Sequence, residues 1–214
     1  MGQYGSDTEQ KLEQEADWLL EQKHHVEQAH FRWSEALRLT EEAVEHIAKA
    51  VNKWCQLPSI PDSDLERKYY AAADTRNHLV SANQDIFAAL RYLPNIEVPY
   101  CNNSEMEILD KAISFIFLDM QSPERHDHAL RCYNTTHKRV AALRQWLTQV
   151  INSTIAKDLI EVQDSSRAKA AELRNERLRL IKHRLKELTG RDSQAIDFHE
   201  TPVELRGSTP FPLT

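Results

Sequence analysis

Apolar side chains in the first quarter of the chain recur with an alternating spacing of four and three residues. A repeat of about 3.5 residues, kept over this length, is typical of a helix that packs along its length against other helices, as in a coiled coil. The pattern predicts a helix over residues 7–56. Its seam contains Leu12, Ala16, Leu19, Lys23, Val26, His30, Trp33, Leu37, Thr40, Val44, Ile47, Val51 and Trp54.

The same spacing predicts a second helix over residues 63–93, between Pro61 and Pro94. Its stripe contains Leu65, Tyr69, Ala72, Arg76, Leu79, Asn83, Ile86, Leu90 and Leu93. A third, shorter helix is predicted over residues 104–120. Because its apolar residues lie nearly all round, from Ile113 to Leu118, we expect it to be buried on more than one side.

The longest predicted helix covers residues 123–189, a segment with no glycine and no proline after Pro123. Ser122 suits the residue that caps a helix start, and Gly190 suits the left-handed position that ends one. Polar residues 163–166 separate two apolar stripes, so we expect a bend or break there. We also expect part of this helix, over residues 167–190, to project from the bundle.

The four predicted helices make the fold class all-α. Each predicted start is led by a serine, and three of these serines have a glutamate three residues later, the spacing of a capping box. We expect an elongated antiparallel up-down bundle over residues 6–190, with a flexible start (1–5) and a flexible tail (191–214). A spectrin-like rod of three helices is the alternative. The leading serines are Ser6, Ser63, Ser104 and Ser122.

The positions of the glycines exclude most classes of nucleotide-dependent enzyme. All four glycines lie near the ends of the chain, so residues 6–189 contain no glycine-rich loop that could hold a phosphate or a dinucleotide. Three cysteines, an odd number, indicate a reducing compartment. Without a signal-type or membrane-spanning apolar run, we expect a cytoplasmic protein.

Charge is distributed unevenly along the chain. Residues 7–45 hold 11 acidic and 4 basic side chains, whereas residues 167–191 hold 9 basic and 3 acidic ones. In an up-down bundle the basic end of the last helix lies towards the acidic start of the first, but in the three-helix rod the two ends lie far apart. Pairing of the two ends within one chain would explain why the charge is so unevenly distributed, and this favours the up-down arrangement. The net charge of −6 argues against a general nucleic-acid binder.

Two groups of residues suggest metal or catalytic chemistry only weakly. The first helix carries two Glu-x-x-His pairs, the acid and imidazole combination of di-iron bundles, but no matching pair is found elsewhere. His128 and Cys132 are one helical turn apart and form half of a zinc site, or a thiol next to a base. We expect no metal, no cofactor and no catalytic residue. The first group consists of Glu21, His24, His25, Glu27 and His30.

The remaining features favour a non-enzymatic adaptor, scaffold or assembly subunit that works through coiled-coil-like protein contacts. The partner is another protein or a second copy of the chain. The predicted partner-binding stripe is Leu178, Ile181, Leu185 and Leu188. The alternative is an anion-binding module for nucleic acid or an anionic membrane, through basic residues on the same helix. These are Arg174, Arg177, Arg179, Lys182, Arg184 and Lys186.

Overall fold

A computed structural model describes residues 6–189 of the chain. The α-helices are α1 (Asp7–Gln56), α2 (Leu65–Tyr92), α3 (Asn103–Asp119), α4 (Pro123–Val150) and α5 (Ala156–Thr189). Residues 6–189 contain no strand, so the prediction of an all-α fold is confirmed. The expected flexible start (1–5) and tail (191–214) lie outside the described residues.

Two of the four predicted helix starts are confirmed. The Ser6 hydroxyl accepts a hydrogen bond from the Glu9 N–H (3.0 Å) at the start of α1. Ser122 accepts one from the Arg125 N–H (3.3 Å) at the start of α4. In α4, Pro123 is the first helical residue, where its missing N–H would have had no partner in any case.

The other two starts are wrong by one or two residues. Asp64, not Ser63, caps α2, and Asn102, not Ser104, caps α3; each side chain accepts from the N–H three residues later (3.1 Å). Aspartate and asparagine cap as well as serine does, so a serine close to either of them does not fix the start.

The last helix is continuous, and its irregularity lies earlier than predicted. A π-helical turn, Ile151–Ile155, joins α4 to α5, while residues 163–166 are regular α-helix. Within this turn the Ser153 hydroxyl donates to the Gln149 carbonyl (2.6 Å). At the predicted break, Asp164 instead accepts from Arg167 one turn later (3.2 Å), which supports the helix.

The chain divides into two compact units, which we describe separately. The central unit is Asp17–Ala168. The terminal unit combines Met1–Ala16 with Lys169–Thr214, and the structure describes residues 6–16 and 169–189 of it. The prediction of one bundle over residues 6–190 stays a prediction.

The core of the central unit follows the heptad spacing, but small residues occupy its middle. Leu37, Val44 and Val51 of the predicted seam are only partly buried, and the alanine beside each of them is fully buried. A small side chain at the point of contact lets two helices approach closely while larger residues fill the flanks. The buried positions are Ala36, Thr40, Ala43, Ile47, Ala50 and Trp54 in α1, and Ala72, Thr75, Leu79, Ala82, Ile86 and Ala89 in α2.

A buried pair of residues joins the end of α1 to the start of α4. The Trp54 carbonyl would normally accept from the N–H four residues later, but that residue is Pro58, which has none. The Nε2–H of His126 takes its place, at 2.9 Å. In return the Trp54 indole N–H donates to the His126 carbonyl (3.1 Å), and the two rings stack at 4.9 Å. Because a carbonyl only accepts, this bond requires the proton on Nε2.

Helix α3 departs from the expectation that it is buried on more than one side. Met106, Leu109, Ile113 and Ile116 are buried, but Ile108, Phe115 and Leu118 on the rest of its surface are exposed. The expectation, which concerned Ile113 to Leu118, is therefore wrong for Phe115 and Leu118. Helix α3 is apolar nearly all round because it has two apolar surfaces. One packs in the core, and the other lines a groove that is described below.

Candidate interaction surfaces

The predicted partner-binding stripe lies in the terminal unit, on the second half of α5. Leu178 and Leu185 are half-buried, whereas Ile181 is 50% exposed and Leu188 is 72% exposed. A hollow of about 360 Å³ adjoins the first part of the stripe. It is lined by Ala16, Ala170, Leu173, Arg174, Arg177, Leu178 and Ile181.

Charged and polar contacts hold the first turns of α1 against α5 in this unit. Arg177 donates to both Glu9 (3.0 Å) and Glu13 (2.6 Å). Just before α1 begins, the Ser6 hydroxyl donates to Glu176 of α5 (3.0 Å). After Glu176, α5 continues to Thr189. The acidic start of the first helix and the basic end of the last one therefore meet within the same chain.

Glu176 is the buried residue at this contact, with 8% of its surface exposed. Two bonds from Arg179 (2.6 and 2.7 Å) and one from Ser6 satisfy its carboxylate. These bonds, chiefly those from Arg179, lower the pKa of Glu176 from 4.5 to about 2. The charged carboxylate thus holds the Arg179 and Ser6 side chains at this contact.

The six residues predicted to bind anions have different surroundings. Arg177, Arg179 and Arg184 each hold a carboxylate of the same unit, and Lys186 is not without a partner either. Arg174 and Lys182 make no ion pair with any residue of the described range 6–189. Anion binding by this set stays a prediction, but half of its cations are already compensated.

The Glu-x-x-His pairs of α1 lie on a solvent-facing part of the helix. Glu21 lies 3.7 Å from His25, His24 is bonded to Gln28, and His30 is half-buried. Across residues 6–189 the structure places no three or more His, Cys, Asp or Glu side chains where they could hold a metal ion together.

A groove between α3 and α4 is the feature that sequence reasoning missed. It consists of two cavities of about 320 Å³ each, both lined by Ile108, His128 and Cys132. The structure thus places His128 and Cys132 in one site. Burial raises the pKa of the Cys132 thiol, so the thiolate that a nucleophile requires is disfavoured at neutral pH.

One end of the groove is built around a residue in a strained conformation. Cys101 has a φ of 59°, in the left-handed region that non-glycine residues seldom adopt. Its N–H donates to Glu105 (2.7 Å), and Glu105 also forms an ion pair with Arg139 of α4. Burial raises the pKa of Cys101 to about 11. This end of the groove is therefore fixed by a carboxylate with two partners.

A second stripe along α3 is a signal in the sequence that points to this groove. Glu105, Ile108, Ala112, Phe115 and Asp119 follow the same alternation of three and four residues as the seam of α1. The sequence pattern did not show which of the two stripes of α3 is covered.

Comparison with known proteins adds no relative. The chain has no significant match among protein-family models, curated proteins or solved structures. Within residues 6–189, no helix combines the length and the apolar character needed to cross a membrane.

Proposed function

We propose that this protein is a non-enzymatic helical adaptor or assembly subunit, and that the stripe on α5 binds a helix of a partner protein. The observation that carries the proposal is the exposure of Ile181 and Leu188, which recur at helical spacing on one segment. Burying a large apolar side chain contributes about 1.5–3 kcal/mol, so covering this stripe is a source of binding energy. A partner helix would cover it as in a coiled coil.

The charges beside the stripe indicate the chemistry of that partner. The segment from Ile181 to Leu188 contains Lys182, Arg184 and Lys186 but one acidic residue, Glu187, which Arg184 already holds, so the net charge of the segment is positive. The same segment of a second copy would place basic residues against basic ones, which costs binding energy. The proposed partner is therefore an amphipathic helix with acidic residues beside its apolar stripe.

Contacts inside the central unit support an antiparallel up-down order of α1 to α4 over the spectrin-like alternative. Along α1, His46 pairs with Asp85 and the later Lys53 pairs with the earlier Asp74, so α1 and α2 are antiparallel, as both arrangements require. The direction of α4 relative to α1 distinguishes them. Trp33 lies against Trp146, whereas the later Trp54 lies against His126. In an up-down order a later residue on one helix meets an earlier residue on its neighbour, as these pairs do.

Binding of a designed peptide tests the proposal. The acidic test helix is a peptide of about three heptads, with leucines at the two apolar positions and glutamates on both flanks. The lysine test helix replaces those glutamates with lysines. We expect the full-length protein to bind the acidic test helix, and Ile181→Glu to weaken the binding by at least about tenfold in calorimetry. The lysine test helix should bind much more weakly.

Ile160→Glu is the matched control, because Ile160 is an exposed isoleucine of the same helix outside the stripe. Its binding should match that of the unmodified protein, and circular dichroism should show that both variants stay folded. Equal binding by Ile181→Glu and the unmodified protein would contradict the proposal. A dimer, seen by light scattering, that Ile181→Glu dissociates would instead identify a second copy as the occupant.

A further inference from the structure

The groove between α3 and α4 is a bounded surface of the central unit. Its two cavities adjoin at Ile108, His128 and Cys132. Ion pairs between the two helices close its ends: Glu105 with Arg139 at one end, and Asp119 with Arg125 (3.1 Å) at the other. From Glu105 to Asp119 the α3 wall rises about 20 Å, at about 1.5 Å per residue. The groove is thus as long as a helix of about four turns.

Both walls present residues at the heptad spacing. On α3 the wall between the end pairs carries Ile108, Ala112 and Phe115; on α4 it carries His128, Cys132 and Thr135. Two parallel rows with this period form a surface into which the apolar side chains of a third helix fit at positions i, i+3 or i+4, and i+7.

The apolar side chains of the α3 wall are left open to solvent in the chain. Ile108 is 56% exposed and Phe115 is 50% exposed. Aromatic side chains that stand next to a cavity are frequent anchors of protein interfaces, because a partner removes much apolar area from water at one point. The groove is thus suited to an apolar helical face.

The charged residues that line the groove indicate which kind of helix it would bind. The cations at the two ends already hold carboxylates, but Lys111 on α3 and Arg131 on α4 line the groove without an ion pair in the described part of the chain. These two residues stand on opposite walls. A helix lying in the groove would meet one uncompensated cation on each side, so acidic residues on both of its flanks would be paired.

We propose that the α3–α4 groove is a second docking site, which takes an amphipathic helix with acidic residues on both flanks of its apolar stripe. The site lies in the central unit and depends on none of the residues proposed for α5. With two separate helix-binding surfaces, one chain would connect two partner helices, which is what an adaptor requires.

The acidic test helix also tests this site, provided that the α5 stripe is removed first by Ile181→Glu. In that background we expect the peptide to bind still, at least about tenfold more weakly than to the unmodified protein, and Phe115→Glu to weaken the remaining binding by at least about a further tenfold. The control is Phe31→Glu, another exposed phenylalanine of the central unit, which should leave binding unchanged. When Lys111 and Arg131 are both replaced by glutamate, the protein should bind the lysine test helix more tightly than the acidic test helix.

Cys132 reports where the peptide lies, because it lines both cavities. Bound peptide should slow alkylation of Cys132 by iodoacetamide, followed by peptide mapping, and should leave the exposed Cys55 unaffected. No binding in the Ile181→Glu background would overturn the second site and leave the α5 proposal intact. Binding that Phe115→Glu does not change, or that does not protect Cys132, would overturn it as well.

Discussion

The contacts that stabilise the central unit differ in kind from the contacts that stabilise the terminal unit. The central unit has an apolar core, in which Trp54, Tyr133, Ile47 and Leu79 are fully buried. In the described part of the terminal unit the one buried residue is a carboxylate, Glu176. One unit is therefore stabilised mainly by loss of apolar surface, and the other by ion pairs and hydrogen bonds around half-buried leucines.

This difference has a consequence for stability. Exposed ion pairs contribute at most about 1 kcal/mol each and weaken with salt, whereas a buried large apolar side chain contributes about 1.5–3 kcal/mol. The terminal unit therefore opens with a lower free energy than the central unit. The stripe proposed to bind a partner lies in the unit that opens more easily.

The largest expected effect comes from the core of the central unit. Trp54→Ala removes a fully buried ring that packs against both His126 and Tyr133. It should lower the free energy of unfolding by about 3–5 kcal/mol, measured by urea denaturation. Trp18→Ala, on an exposed tryptophan of the same helix, should change it by less than about 0.5 kcal/mol. If the two substitutions lowered the free energy of unfolding equally, Trp54 would not be the core residue that the structure shows.

An intermediate effect is expected where α1 and α4 are bonded to each other. His126→Phe keeps a ring next to Trp54 but removes the Nε2–H, so the buried Trp54 carbonyl loses its donor. An unpaired buried polar group costs about 1–3 kcal/mol, and the variant should be less stable by that amount. His25→Phe, on an exposed position, is the control. A variant as stable as the unmodified protein would show that this carbonyl needs no donor from His126.

The smallest effect is confined to the terminal unit and depends on pH. The pKa of Glu176 is about 2 in the folded protein and ordinarily 4.5, so its contribution is present above pH 4.5 and is lost as the pH falls towards 2. Hydrogen exchange of residues 169–189, corrected for the intrinsic rate, should accelerate over this interval. Glu176→Gln should reduce that change, and Glu161→Gln, on an exposed residue of α5, should keep it. The same acceleration in Glu176→Gln would assign it to other carboxylates.

The long helices could be predicted from the sequence because each of their signals is local. The end of α1 before Pro58 and the cap at Ser122 depend on residues within one turn. The π-helical turn at Ile151–Ile155 was not predicted, because Ile151 and Ile155 are four residues apart, a spacing that an α-helix and a π-helical turn both place on one face. Helix existence thus follows from the pattern, whereas helix irregularities do not.

The candidate sites were less predictable because burial depends on which helix covers which face. The sequence showed that Ile181 and Leu188 recur on one stripe, but not how far each is exposed. It marked Cys132 beside His128, yet the groove also needs Ile108 and Phe115 from another helix. A period of seven residues identifies a face for packing and does not say whether the chain itself supplies the partner.

The contacts of the terminal unit also bear on the order of events during synthesis. Ser6 and Glu176 are 170 residues apart, and Arg177 and Glu9 are 168 residues apart. Chains emerge from the ribosome in order, so the first turns of α1 must wait for almost the whole described chain before they meet α5. Until then, the acidic first turns of α1 are without their basic counterpart on α5, although α2, α3 and α4 have already been synthesised.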